Sequence, residues 1–253
     1  MNFIKSPNLP EGEVCFAAVS AEEQNIIQYL QSCGIETVPV PPCEALPRGL
    51  RFHPDLRLLH LGGNELVAAS CPEPVHMVLT EAGFRFLKED IVLGACYPED
   101  CRLNAAIFGG KIIYHPNTID SAVAEFVEKR NIVEIPVRQG YAKCAVFVAA
   151  PDAVVTGDPG IAKAAERGGA EVLRIRHPED IMLEGFNYGF IGGCCGLLGK
   201  KLAFCAGNIK QLHDGEEILS FLRNRGIDLE SVCGGAPKDI GGILPLGEKG
   251  PGV

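Results

Sequence analysis

The sequence predicts an α/β protein closed into a ring of five strand-strand-helix-strand units, a five-bladed β/α propeller, and three observations predict it. The first is a degenerate internal repeat. Asp55, Asn104, Cys144, Asn187 and Asp239 each open an apolar, strand-like segment, at intervals of 40–52 residues, the range in which one supersecondary unit recurs in repeat folds. The second is a hairpin inside the units. Four of the five segments turn through Gly or Pro-Asp into a second strand, as in AAIFGGKIIY (105–114) and AVFVAAPDAVVTG (145–157). That pairing is antiparallel, whereas an open doubly wound sheet would need parallel neighbours. The third is the seam: the last copy stops after one strand, and the chain begins with a fragment that lacks one. Joining the ends completes the fifth unit and leaves no open sheet edge running round the ring.

The expected organisation is one domain over 1–253, with repeats at about 53–103, 104–141, 142–185 and 186–235, and a composite repeat of 14–52 plus 236–246. In the composite unit VCFAAVS is a strand. Ser20 with Glu23 reads as a capping box for a helix over 21–33, ended by Gly34, before the strand IETVPV (35–40). The second unit opens at Asp55 and turns through Gly62-Gly63. In the third, Thr118 is the expected N-cap, Ile119, Val123, Phe126 and Val127 lie at helical spacing, and the β-branched run 132–137 follows. The fourth has Asp158 as N-cap with Pro159 at the first helical position, where its missing N–H costs nothing, then the strand AEVLRIR (170–176). The fifth gives DGEEILSFLRNRG (214–226) and the strand after it.

Charge and cysteine usage narrow the function classes. Asp and Glu number 32 against 23 Lys and Arg, a formal charge of −9, and no basic block exceeds Lys200-Lys201. Gripping nucleic-acid phosphates is therefore disfavoured. The opening MNFIKSPNLPEGEV is broken by prolines and carries no apolar run, so neither a secretory signal nor a membrane span is expected there, and a cytoplasmic location is. The eleven cysteines are odd in number and sit mostly in apolar runs, as buried thiols of a reducing compartment do. With no C-x-x-C pair, no metal is expected; with no nucleotide-binding glycine motif, no cofactor is.

The strings HPDLRLLHLGG, QGYAKC, VVTGDPGI, NYGFIGG and KDIGGILPL resemble an uncharacterised bacterial family assigned to the pentein fold. That is the fold of the guanidino-group-modifying enzymes: arginine and agmatine deiminases, dimethylarginine hydrolases and amidinotransferases. The resemblance covers about residues 14–246. It implies a central channel into which the unit-opening residues point, and a chemistry of thiolate attack on a guanidinium carbon, with a histidine as acid and base and carboxylates holding the cation. The enzymes' own nucleophile does not carry over. Where they have a last-blade cysteine after Gly-Gly, this chain reads Gly241-Gly242-Ile-Leu-Pro-Leu246, and in the preceding blade, where a histidine is expected, it has Asn187.

Asp55, Asn104, Cys144, Asn187 and Asp239 are thus expected to converge, with His53, Lys143, Tyr188 and Lys238 at the rim. If the chemistry persists, Cys144 is the thiol, activated by Lys143 and served by His53, a lowered thiol pKa needing a nearby cation. Asp55, Asn104, Asn187, Tyr188, Asp239 and Asp158 are the candidate substrate contacts. Bland readings stand beside these: Cys144 as a small core side chain, Asp55 as a turn residue, Asp158 as a helix cap, His60 as a satisfied interior histidine. Gly192 and Gly193, in GGCCG, fit a tight hairpin or a close backbone approach. Two function classes follow: a hydrolase or transferase acting on a guanidino or amidine compound, or a non-catalytic module binding a small cationic ligand or a macromolecule in the same channel.

Overall fold

Short Gly-rich turns and apolar β-branched runs fold here into five small sheets. The computed structural model of the chain describes residues 1–177 and 179–250. The composite sheet is built from β1 (Asn2–Phe3), β2 (Val14–Ser20), the helix α1 (Gln24–Ser32) and β3 (Glu36–Val40). The second unit has a short helix α2 (Pro54–Arg57), then β4 (Leu58–Gly62), β5 (Glu65–Ala69), α3 (Glu73–Glu81) and β6 (Arg85–Ile91). The third has β7 (Ala106–Phe108), β8 (Lys111–Tyr114), α4 (Ser121–Lys129) and β9 (Val133–Pro136). The fourth has β10 (Val146–Ala150), β11 (Ala153–Thr156), α5 (Pro159–Arg167) and β12 (Glu171–Arg174). The fifth opens with a second short helix, α6 (Ile191–Cys194), followed by β13 (Cys195–Gly199), β14 (Leu202–Ala206), α7 (Gly215–Arg223) and β15 (Asp228–Val232). Finally β16 (Leu244–Glu248) returns to the first sheet, whose order is β1-β16-β2-β3.

Every unit repeats one pairing. Its first two strands run antiparallel, as Ala106 opposite Ile113 or Phe147 opposite Val155, and the second pairs in parallel with the strand after the helix. In the composite unit β16 takes the first place, antiparallel to β2, which is parallel to β3, so the two chain ends share one blade. The first strands form the inner wall: β7 lies beside β10, β10 beside β13 and β13 beside β16. Those strands are almost wholly buried, while the outermost strands β6, β9 and β15 alternate charged, exposed positions with a few buried ones. Charge on a short edge blocks pairing with another chain. The helices bury one stripe each against their sheets, Val123, Phe126 and Val127 in α4 and Ile218, Leu219 and Leu222 in α7.

Some local expectations give way. The N-cap of α4 is Asp120, whose carboxylate accepts from Ala122 N, so the helix starts two residues after Thr118 would have placed it. Ser20 ends β2 instead of capping α1, which begins after Glu23 with no side-chain cap. Asp158 does cap α5, accepting from Gly160 N and Ile161 N at 2.7 and 2.9 Å. The fifth unit's first strand begins at Cys195, eight residues beyond Asn187, and its hairpin turn lies at Lys200-Lys201 instead of at GGCCG.

Candidate active site at the centre of the ring

The residues that matter stand not on the inner strands but in the turns feeding them. Pro54 starts α2 and holds the preceding His53 extended, φ −69° and ψ 112°, as a residue before proline must be. His53 and Asp55 are thereby buried at the axis, each 2% exposed. Asn104, just before β7, ties three blades together. Its Oδ1 accepts from Lys143 N and Cys144 N at 2.8 and 3.1 Å, and its Nδ2 donates to Asp55 O at 3.3 Å and to Cys144 Sγ at 3.1 Å. The Cys144 thiol donates to Asp55 Oδ2 at 3.1 Å.

Asp239 closes the floor from the composite blade. Its Oδ2 accepts from Phe190 N at 2.8 Å and its Oδ1 from Gly241 N at 3.1 Å. Gly241 and Gly242 both take positive φ, +74° and +67°, and a Cβ on Gly241 would stand 2.6 Å from His53 Cα, so the chain passes the histidine only without a side chain. The fifth blade contributes backbone. Gly192 O accepts from Lys143 Nζ at 3.0 Å, Gly193 O accepts from Ile240 N and Gly242 N, and a Cβ on Gly193 would overlap the Asp239 carboxylate. Here the close-approach reading of the glycine pair is the one the structure takes.

His53 lies between the two acids, Nδ1 3.9 Å from Asp55 Oδ1 and Nε2 3.8 Å from Asp239 Oδ1. Among the described residues, neither ring nitrogen, nor Asp55 Oδ1, has a hydrogen-bond partner, though all are buried. Lys143 Nζ stands 3.9 Å from Asp55 Oδ2. Burial is the largest influence on both titrating neighbours. It raises the Asp55 carboxyl against the pull of Lys143 and His53, and it raises the Cys144 thiol well above its ordinary value, with Asp55 and Asp239 adding to the rise. The expected activation of Cys144 by Lys143 is therefore outweighed: the amine lowers the thiol, but desolvation and two carboxylates dominate.

Above this floor opens a cavity of about 290 Å³. Its walls include Tyr141, Phe190, Tyr188 and Leu183, with Asn187 among the outer residues. The Phe190 ring is stacked against Tyr141 at 6.3 Å and edge-on to Tyr188 at 5.7 Å. Tyr141 is held by its hydroxyl, which donates to Asp100 Oδ2 at 2.6 Å. Aromatic faces in a cavity lined by the Asp239 carboxylate suit a cation.

The structure thus brings together Asp55, Asn104, Cys144, Asp239, His53 and Lys143, the last two at the floor instead of the rim. Tyr188 is on the wall. Asn187 is exposed at the mouth and does not join the converging set; Gly193 holds that place in the fifth blade. Lys238 points away, paired with Glu22 and Glu23. Asp158 lies in a neighbouring open groove of about 830 Å³ that shares Gln139 and Tyr141 with the cavity; its Oδ1 is spent on the helix cap and its Oδ2 accepts from Gln139 Nε2 at 3.5 Å. That groove is larger, but among the described residues no unsatisfied buried side-chain atom lines it. Two groups of side chains have metal-ligand spacing among the described residues: His53, Asp55 and Cys144, and the buried thiols Cys194, Cys195 and Cys205. No helix among the described residues is long and apolar enough to cross a membrane.

A family profile described as "Family of unknown function (DUF6873)" matches residues 18–244. No curated protein matches by sequence. Among solved structures, the inosamine-phosphate amidinotransferase of Streptomyces griseus superposes with a TM-score of 0.60 at 11% identity, covering 98% of each chain. DDAH from Pseudomonas aeruginosa gives 0.53 at 10%, over 87% of this chain and 92% of its own. Agmatine deiminase of C. jejuni gives 0.53 at 10%, over 91% of each. All share the five-bladed pentein fold found here.

Proposed function

As the chain belongs to DUF6873, a family of unknown function, and has the pentein fold, we propose that it binds a small guanidino or amidine cation in the central cavity and acts on it as a hydrolase or transferase through Cys144. The observation that carries this reading is the thiol of Cys144 donating to Asp55 Oδ2 at 3.1 Å, with Cys144, His53 and Asp239 lining the cavity and Asp55 buried behind the thiol. Two buried carboxylates face one ammonium, Lys143, so a monocation between them would complete the charge balance. A planar amidinium is the geometry that paired carboxylates hold best.

The chemistry then runs through residues in place. Asp55 Oδ2 takes the thiol proton as Sγ bonds to the amidinium carbon. The leaving amine takes a proton from His53 Nε2 as the proton held on Asp55 passes to His53 Nδ1, so the ring ends neutral, and the C–N bond breaks. Water completes a hydrolase cycle, and an acceptor amine completes a transferase cycle. Because burial keeps the resting thiol protonated, attack waits for the bound cation to offset Asp55 and Asp239, while the aromatic wall limits competing water. The many free thiols support a reducing, cytoplasmic setting.

The test is alkylation by 2-chloroacetamidine, a cation, against neutral 2-chloroacetamide, each rate divided by its rate with glutathione, adducts being located by mass spectrometry. Cationic preference at Cys144 of at least about tenfold is expected, abolished in Cys144→Ser and reduced in Asp239→Asn. An absence of adduct at Cys144, or equal normalised rates, overturns the proposal. The raised thiol favours one second reading, a binding module without chemistry. It predicts amidine binding to Cys144→Ala and to wild type alike, with no turnover by either.

A further inference from the structure

We infer that the same floor is a site for a divalent cation of the zinc class, with Cys144 Sγ, His53 Nδ1 and Asp55 Oδ1 as protein ligands and the fourth position open to the cavity. One ligand atom from each residue lies within 4.8 Å of the others. The Nδ1–Oδ1 separation is 3.9 Å, and tetrahedral zinc with bonds of about 2.0–2.3 Å sets its ligands roughly 3.3–3.8 Å apart. A closure of at most about 1–1.5 Å makes the shell.

The pattern of satisfied and orphaned atoms points the same way. Asn104 spends both side-chain atoms, and both oxygens of Asp239 accept backbone N–H groups. At the floor, among the described residues, the side-chain atoms left without partners are the two ring nitrogens of His53 and Asp55 Oδ1; elsewhere Arg57 Nε, His60 Nδ1 and Asp100 Oδ1 are also unpaired. His53 is 2% exposed, and buried polar groups are ordinarily paired. With Nδ1 on the metal, Nε2–H faces Asp239 Oδ1 at 3.8 Å, the carboxylate that commonly stands behind a metal-bound histidine. Asn104 Nδ2 supports the sulfur from the other side. A thiolate and two carboxylates against Lys143 leave a double negative charge, which a divalent ion neutralises. Mixed S, N and O donors select zinc or cobalt over magnesium or calcium. Three protein ligands with an open position into a cavity is the layout of a reactive metal centre, not of a closed structural one.

This inference goes beyond the thiol reaction and does not depend on it, since a metal-bound Sγ is withheld from attack. The experiment is titration of the reduced, chelator-treated full-length protein with Co²⁺, followed by thiolate-to-cobalt charge-transfer absorption and by metal analysis after dialysis. One equivalent per chain is expected. The band should vanish in Cys144→Ser and His53→Gln, weaken in affinity by about 10- to 100-fold in Asp239→Asn, and persist in Cys205→Ser. In unmodified protein, Zn²⁺ should slow iodoacetamide labelling of Cys144 without slowing that of Cys33, which is exposed at the C-terminal end of α1. This arm needs no variant to fold. No thiolate-to-cobalt band, a band that survives in Cys144→Ser, or no protection of Cys144 overturns the assignment. Failure of the amidine reading is distinguishable, because the 2-chloroacetamidine labelling is carried out on chelator-treated, metal-free protein.

Discussion

Gly193→Ala tests how the fifth blade builds the site without presenting a side chain to it. Its Cβ would fall on the carboxylate of Asp239, with all three nearest atoms belonging to that group. The acid must swing aside, giving up the N–H donors of Phe190 and Gly241 at 2.8 and 3.1 Å. Hydrogen bonds to a charged group contribute about 1.5–3 kcal/mol each; with part of the loss relaxed, about 3 kcal/mol of stability goes. For a domain of this size that corresponds to a fall in Tm of roughly 6–12 °C. Displacing a positioning group by about 1 Å costs on the order of a hundredfold in rate, so amidine labelling of Cys144 should drop by that order. Thermal unfolding with labelling kinetics measures both. Gly196→Ala, whose Cβ would meet only Ile243 O at 3.8 Å, is the control and should change neither. A Gly193→Ala protein with wild-type Tm and wild-type labelling would refute the reasoning.

Asp55→Asn keeps the shape of the floor but removes the proton acceptor, so amidine labelling of Cys144 should fall by about 10²–10⁴-fold, while a stopped-flow rate within a few-fold of wild type would contradict Asp55 as the base. His60 is buried with Nε2 bonded to Gly63 O, and burial lowers its pKa to about 4. The unfolded chain protonates below about 6.5, so the contribution of neutral His60 is complete above that pH and is lost as pH falls toward 4. About 3 kcal/mol is involved, and the drop in urea midpoint from pH 7 to pH 4.5 should be smaller in His60→Gln than in wild type. Asp158→Ala removes two cap bonds to α5 and should lower stability by about 1 kcal/mol, leaving Cys144 labelling unchanged; a large loss of labelling would instead put Asp158 in the site.

The ring was legible because its units repeat a physical pattern, apolar strand, tight turn, apolar strand, amphipathic helix, which spacing alone exposes. The converging residues followed from it: Asp55, Asn104, Cys144 and Asp239 all precede first strands. Asn187 misled because polar-then-apolar is also how a loop enters a short helix, and α6 separates it from β13. The signal for the true position was the glycine pair, whose want of a side chain is itself a contact with Asp239. The depth of His53 and Lys143 was not readable, since rim and floor differ by the direction of a turn. Tyr141 and Phe190 gave no signal, being aromatic residues among apolar neighbours. The expectation of no metal rested on absent C-x-x-C pairs, a signal that reads only ligands close in sequence, and the cobalt titration tests it.

The most direct measurement is a crystal structure of the metal-free protein soaked with acetamidinium. The account predicts the cation in the central cavity, its N–H groups on Asp55 and Asp239 and its carbon facing Cys144 Sγ. An acetamidinium bound only elsewhere, with the two carboxylates unengaged, would contradict it.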